Sequence, residues 1–151
     1  MLFRSLDSYS IGKNNDTDVV LEAEIDIVTL MNNPLIDINA FPESFPCEQL
    51  ENLGYPTSIC GVKVINELNN MRIYYRSGTL FKQIDEEDLK KQNMKPLNVG
   101  QKVLSSLLLD EYWNIVVSNS AAGTGKTAIA LSAAMRLIDT ARDKYTKMVC
   151  I

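Results

Sequence analysis

The chain has 151 residues, 46% of them hydrophobic and 23% charged, with a net charge of −4. This is ordinary globular composition with material for one or two small domains; no apolar run approaches the roughly 18 residues of a membrane span, and Met1-Leu2-Phe3-Arg4 lacks the sustained apolar core of a signal peptide. There is no histidine, which excludes His-based triads and His metal sites, and Cys47, Cys60 and Cys150, without a CxxC spacing, read as reduced structural thiols of a cytoplasmic protein.

Residues 1–18 are polar and weakly periodic, the texture of a ragged leader. From Val19 to Met31 the apolar residues alternate loosely, through Val20, Ala23, Ile25 and Ile27, and fit either a strand or a short helix. Residues 32–58 contain Pro34, Pro42, Pro46, Pro56 and Gly54. Prolines at that density predict a loop-rich connector with one helical turn near Glu48 to Leu53. The pattern then sharpens. Val62 to Leu68 and Met71 to Tyr75 read as strands joined at Asn69-Asn70, because asparagine tolerates the left-handed conformation of tight turns. Ser77-Gly78 turns the chain again into Thr79 to Ile84, giving a three-stranded meander.

That meander carries Arg72, Tyr74, Tyr75, Arg76, Phe81 and Lys82. Interleaved aromatic and basic side chains can stack bases and track phosphates, yet a core face opposite a solvated face is the reading we favour. Asp85 to Asp88 followed by Lys90 and Lys91 predicts a solvated helical turn serving as a linker, with acids leading and bases trailing as the helix dipole prefers. Carboxylates adjacent on one short turn do not converge on a metal ion.

Past Leu97, Asn98 can cap a helix over Val99 to Asp110, with Val103, Leu104, Leu107 and Leu108 on one side. Tyr112 to Val117 reads as a strand, Lys126 to Ala141 as a buried helix, and Lys147 to Ile151 as a further strand. Strand, helix and strand at this spacing predict a right-handed parallel βαβ unit. The organisation expected is therefore an acidic, loop-rich region over 1–60, a small meander and linker over 61–93, and an α/β segment over 94–151. Their net charges are −8, +1 and +3, so any nucleic-acid contact belongs to the later two.

The most informative stretch lies between the expected strand and helix: Ser120-Ala121-Ala122-Gly123-Thr124-Gly125-Lys126-Thr127. A triphosphate needs many donors at short range. Gly123 and Gly125 let the backbone curl so that N–H groups converge, and the helix start adds its positive end. Lys126 then reaches the β- and γ-phosphates, and Thr127 offers a hydroxyl to Mg²⁺. The strict G-x-x-x-x-G-K-[ST] pattern fails at its first position, where Ser120 stands. Gln101, ahead of the loop, has an amide that both donates and accepts, which suits reading an adenine edge.

The run from Pro96 to Ile151, with Gln101 and Ala122-Gly123-Thr124-Gly125-Lys126-Thr127 as its markers, resembles the start of the ATPase domain of PhoH-like proteins. Those are P-loop enzymes related to superfamily 1 helicases. Ser120 and Ala121 depart from the Gly-Pro that opens the family's loop. The resemblance implies a RecA-like parallel sheet, ATP and Mg²⁺ as ligands, Gln101 at the adenine and Lys126 as the catalytic cation. It also implies an RNA-linked process, or one on single-stranded nucleic acid, and a homo-oligomeric parent. An acid of the Walker B type, a water-polarising glutamate and an arginine finger cannot be assigned, so the expectation is an N-terminal portion of a longer protein, catalytically incomplete alone. A superfamily 1 helicase fragment and an inert binding or assembly module are the rival readings.

Overall fold

The computed structural model describes residues 5–6, 22–31, 40–119 and 122–150, and in them the alternation between residues 61 and 84 folds as two successive hairpins. Strands β4 (Gly61–Ile65), β5 (Met71–Ser77) and β6 (Leu80–Gln83) pair antiparallel in that order. The first turn works as the sequence suggests: Asn69 takes φ 59°. Asn66 closes the loop, its Oδ1 accepting from the Leu68 and Asn70 amides at 3.0 and 2.9 Å. Gly78, at φ 62°, supplies the second reversal, and the Tyr112 ring sits where a β-carbon at that position would fall, 2.9 Å away.

The meander is the middle of a larger sheet. Strand β2 (Glu22–Asp26) lies parallel to β4, and β3 (Ser44–Pro46) lies antiparallel to β6, so the five-strand order is β2-β4-β5-β6-β3. The Val19 to Met31 ambiguity resolves as both elements in succession, β2 running into the five-residue helix α1 (Ile27–Met31). The proline-rich connector contains the expected helical turn, α2 (Cys47–Asn52), but also β3, which the sequence did not signal. Pro46 is tolerated there because β3 is an edge strand, where a missing amide leaves no ladder bond unmade. The expected leader over residues 1–18 and Pro34 lie outside the described residues, apart from a two-residue strand, β1 (Ser5–Leu6).

Period-two alternation sends the side chains of β5 to opposite faces. Tyr74 enters one apolar layer with Phe45, Phe81, Val62, Val64 and Leu50. Ile73 enters the other, with Val103, Leu107, Trp113 and Ile129, and Tyr75 packs against it. Phe45 lies 5.0 Å from Tyr74 and 5.3 Å from Phe81, ring centre to ring centre. The two buried thiols divide likewise, Cys47 in the first layer and Cys60 in the second.

Arg76 is 7% exposed on the first face. Its Nη1 donates to Thr57 O at 2.6 Å and its Nε to Gly78 O at 3.3 Å, while Nη2 lies 3.6 Å from Glu51. A buried guanidinium is tolerated because its donors are met. On the other side of the same strand the Trp113 indole N–H donates to Arg76 O at 2.8 Å.

Two helices cover the second face. Helix α4 (Val99–Leu109) begins at Asn98, whose Oδ1 accepts from the Gln101 amide at 2.8 Å. Helix α5 (Lys126–Thr140) packs beside it and buries Ile129, Ser132 and Ala133. The expected helical turn forms with Asp85, Glu86 and Glu87 exposed, but it is also packed against both helices. Helix α3 (Glu86–Leu89) is capped by Asp85 and buries Leu89, and Asp88 joins Arg136 of α5 at 2.6 Å while Glu86 joins Lys102 of α4 at 2.9 Å.

Two strand assignments are corrected. Of Tyr112 to Val117 only the last residue is in a strand, β7 (Val117–Ser118), which pairs parallel with β1. Tyr112 and Trp113 depart from alternation: the Trp113 ring enters the layer between the sheet and α4, while the Tyr112 ring lies edge-on to it and over Gly78. Residues 142–150 hold no strand: Lys147 to Cys150 are exposed, and the expected βαβ unit is not closed among the described residues. The fold is mixed α/β, and no helix among the described residues is long and apolar enough to cross a membrane.

Two outcomes follow from these contacts. Gln92 is 3% exposed, and neither end of its amide finds a partner among the described residues. Burying an unmet amide costs about 1–3 kcal/mol, so Gln92→Met raises stability by about 1 kcal/mol in urea denaturation followed by circular dichroism. The Arg136 guanidinium, hydrogen-bonded to Asp88, holds that carboxyl below its ordinary value of 3.8. The contribution is present in full above that value and fades as pH falls through the lower folded pKa. Asp88→Asn is accordingly less stable than the native chain at neutral pH and converges with it in acid.

Candidate phosphate-binding loop

Strand β7 leads through residues 119–125 into α5, and the described part of the turn begins at Ala122. Ser120 and Ala121 lie outside the described residues. Gly123 and Gly125 adopt φ values of 82° and 81°, a left-handed conformation that costs other residues about 1–2 kcal/mol. The two glycines differ in surroundings. No described residue lies within 4 Å of where a β-carbon on Gly123 would be, whereas one on Gly125 would stand 3.0 Å from Gln101 Nε2.

Gly125 is also the N-cap of α5, with no side chain bonded across the helix start. The first intrahelical bond runs from the Ile129 amide to Gly125 O at 3.0 Å. The amides of the first turn have no acceptor within the helix and leave a partial positive charge there. Lys126 and Thr127 are the first two residues of that turn, Lys126 half-buried and Thr127 exposed. Alongside them runs an apolar groove of about 450 Å³, lined by Leu104, Leu108, Ala130, Leu131 and Met148 among others.

Gln101 stands 23 positions before Thr124 and touches it. Its Nε2 donates to Thr124 O at 3.0 Å, and its Oε1 accepts from the Leu97 amide at 2.8 Å. The sequence does contain a signal for part of this. Asn-x-x-Gln at residues 98–101 has the spacing of a capping box, in which the third helical residue reaches back toward the N-cap. Here the glutamine reaches one residue further, to Leu97, and uses its other end on the loop. Thus the structure gathers Gln101, Gly123, Thr124, Gly125, Lys126 and Thr127 at one end of the α4–α5 pair.

Of the aromatic and basic residues of the meander, Tyr74, Tyr75, Arg76 and Phe81 are gathered elsewhere and face inward, whereas Arg72 and Lys82 are exposed. Tyr74 and Phe81 are buried, the Tyr74 hydroxyl donates to Pro42 O at 2.5 Å, and Arg76 is held as described above. Tyr75 donates to Asp110 at 2.9 Å; burial, with the Asp110 carboxylate adding to it, pushes its phenol well above the ordinary value. These side chains are core and junction. Among the described residues no group of three or more Asp, Glu, Cys or His side chains could hold a metal ion. Set against protein-family models, curated proteins and solved structures, the chain matches none.

The contrast between the glycines is measurable. Gly123→Ala lowers stability by about 1–2 kcal/mol through backbone conformation alone. Gly125→Ala costs about 1 kcal/mol more, because the methyl displaces the Gln101 amide from Thr124. Urea denaturation of both variants checks the order.

Proposed function

We propose that this chain binds ATP through residues 120–127, as the phosphate-holding part of a P-loop ATPase of the PhoH-like type. The observation that carries the reading is the succession of β7, a turn with two left-handed glycines, and Lys126-Thr127 opening α5. Left-handed glycines turn successive backbone amides toward one side of a loop, and the helix start adds partial positive charge. Lys126 supplies the full charge that a triphosphate requires. The finer fold in this proposal is a RecA-like parallel sheet, and the parallel pairing of β1 with β7 supports it.

Thr127 would hold Mg²⁺. Its exposed hydroxyl is a hard oxygen of the kind this ion takes. The ion would offset part of the negative charge of the triphosphate. The chain's own residues bind and orient: backbone amides of the loop receive phosphate oxygens, and Lys126 offsets the negative charge that hydrolysis concentrates on them. Hydrolysis of ATP, coupled to an RNA-linked process in the cytoplasm, is the activity that this reading proposes.

Titration of the 151-residue chain with Mg²⁺-ATP tests the reading. Lys126→Ala removes a charged hydrogen bond worth about 1.5–3 kcal/mol, so affinity falls on the order of ten- to a hundredfold. A native chain that takes up no ATP at millimolar concentration sinks the proposal, as does a Lys126→Ala variant that binds equally well.

A further inference from the structure

We infer that Gln101 is a positioning residue whose amide clamps the glycine loop to the start of α4 and sets phosphate affinity regardless of the base. The inference rests on the phosphate-site reading above and changes the part Gln101 plays in it. A base reader needs an amide at liberty to meet a base edge. This one is engaged at both ends, by the Leu97 amide on Oε1 and the Thr124 carbonyl on Nε2. A backbone N–H demands the oxygen and a carbonyl demands the nitrogen, so only one orientation of the amide satisfies both partners. The N–H and lone pair that remain are held in a plane chosen by the protein.

The clamp starts from a rigid base. Gln101 lies in the first turn of α4, with its own amide bonded to the Asn98 cap at 2.8 Å. Its grip falls on the Thr124–Gly125 peptide. In a trans peptide the carbonyl and the following N–H point in opposite directions. Holding Thr124 O against Gln101 therefore turns the Gly125 N–H away from α4 and fixes one donor of the loop before any anion arrives. Gly125 is the residue that permits this approach, because a β-carbon there would press on Nε2 at 3.0 Å. Preset donors bind an anion more tightly than donors that must be ordered on binding.

The test uses Gln101→Met in the 151-residue chain, a variant that keeps side-chain length and net charge while removing both hydrogen bonds. Mg²⁺-ATP, Mg²⁺-GTP and inorganic tripolyphosphate are titrated into native and variant protein, and amide hydrogen exchange across residues 122–127 is followed without ligand. The expected result is a loss of about tenfold, the same for all three ligands, as one hydrogen bond of about 1–1.5 kcal/mol allows. Exchange at Gly125 also quickens in the unliganded variant. A loss confined to ATP makes Gln101 a base reader and overturns the inference, and so does unchanged affinity for tripolyphosphate. Should the native chain bind none of the three, the phosphate-site reading falls, and the clamp is judged by exchange alone, where equal rates overturn it.

Discussion

Strand β5 has no solvent face over its central residues. Tyr74 and Arg76 point into the layer shared with α2 and β3, while Ile73 and Tyr75 point into the layer shared with α4 and α5. A strand covered on both sides cannot slip by one residue without exchanging the contents of two cores. Its register with β4 and β6 is thereby fixed, and so is the platform on which α4 rests. Arg76 strengthens the constraint, since one side chain holds Thr57, Gly78 and Glu51 together while its own carbonyl receives Trp113. Three loops and a helix end meet on that residue.

From β5 the order passes outward to the loop. Helix α4 packs on the sheet through Val103 and Leu107 and presents Gln101 at its first turn; α5 packs on α4 through Ile129 and carries Lys126 and Thr127. The pairing of Asp88 with Arg136 and of Glu86 with Lys102 ties both helices to α3. Exposed ion pairs contribute little stability each, but the Asp88–Arg136 pair anchors α5 to α3 and the Glu86–Lys102 pair anchors α4 to the same turn. The glycine turn is consequently supported from the α4 side, whereas the groove beside Leu131 and Ala134 is open.

Elements governed by local chemistry were legible in the sequence. Asn69 and Gly78 announced the turns, Asn98 announced a helix start, and Gly123 and Gly125 announced a backbone that only glycine takes comfortably. Elements decided by distant partners were not. Strand β3 is three residues long between prolines, and only its pairing with β6 makes it a strand. Asp85 to Leu89 reads as solvated because four acids dominate it, yet the partners that bury Leu89 and pair Asp88 lie on helices far along the chain. Tyr112 and Trp113 have strand-like composition, but their rings are committed to Gly78 and Arg76. At the loop, the residue types were legible and the Gln101–Thr124 link was not, because a hydrogen bond spanning 23 positions leaves no periodic trace.

Trp113 is the one tryptophan in the chain, and its indole lies at the seam where the sheet meets α4, edge-on to Tyr112 at 4.8 Å. Intrinsic fluorescence from this protein is therefore a single-site signal with a known address. Emission from a buried indole hydrogen-bonded to the central strand reports whether the helical layer is still seated on the sheet. The glycine loop falls outside its direct view. A nucleotide that altered this emission would do so by shifting the layer that α4 and α5 share with Trp113, which makes the native chromophore a gauge of whether events at the loop travel into the fold.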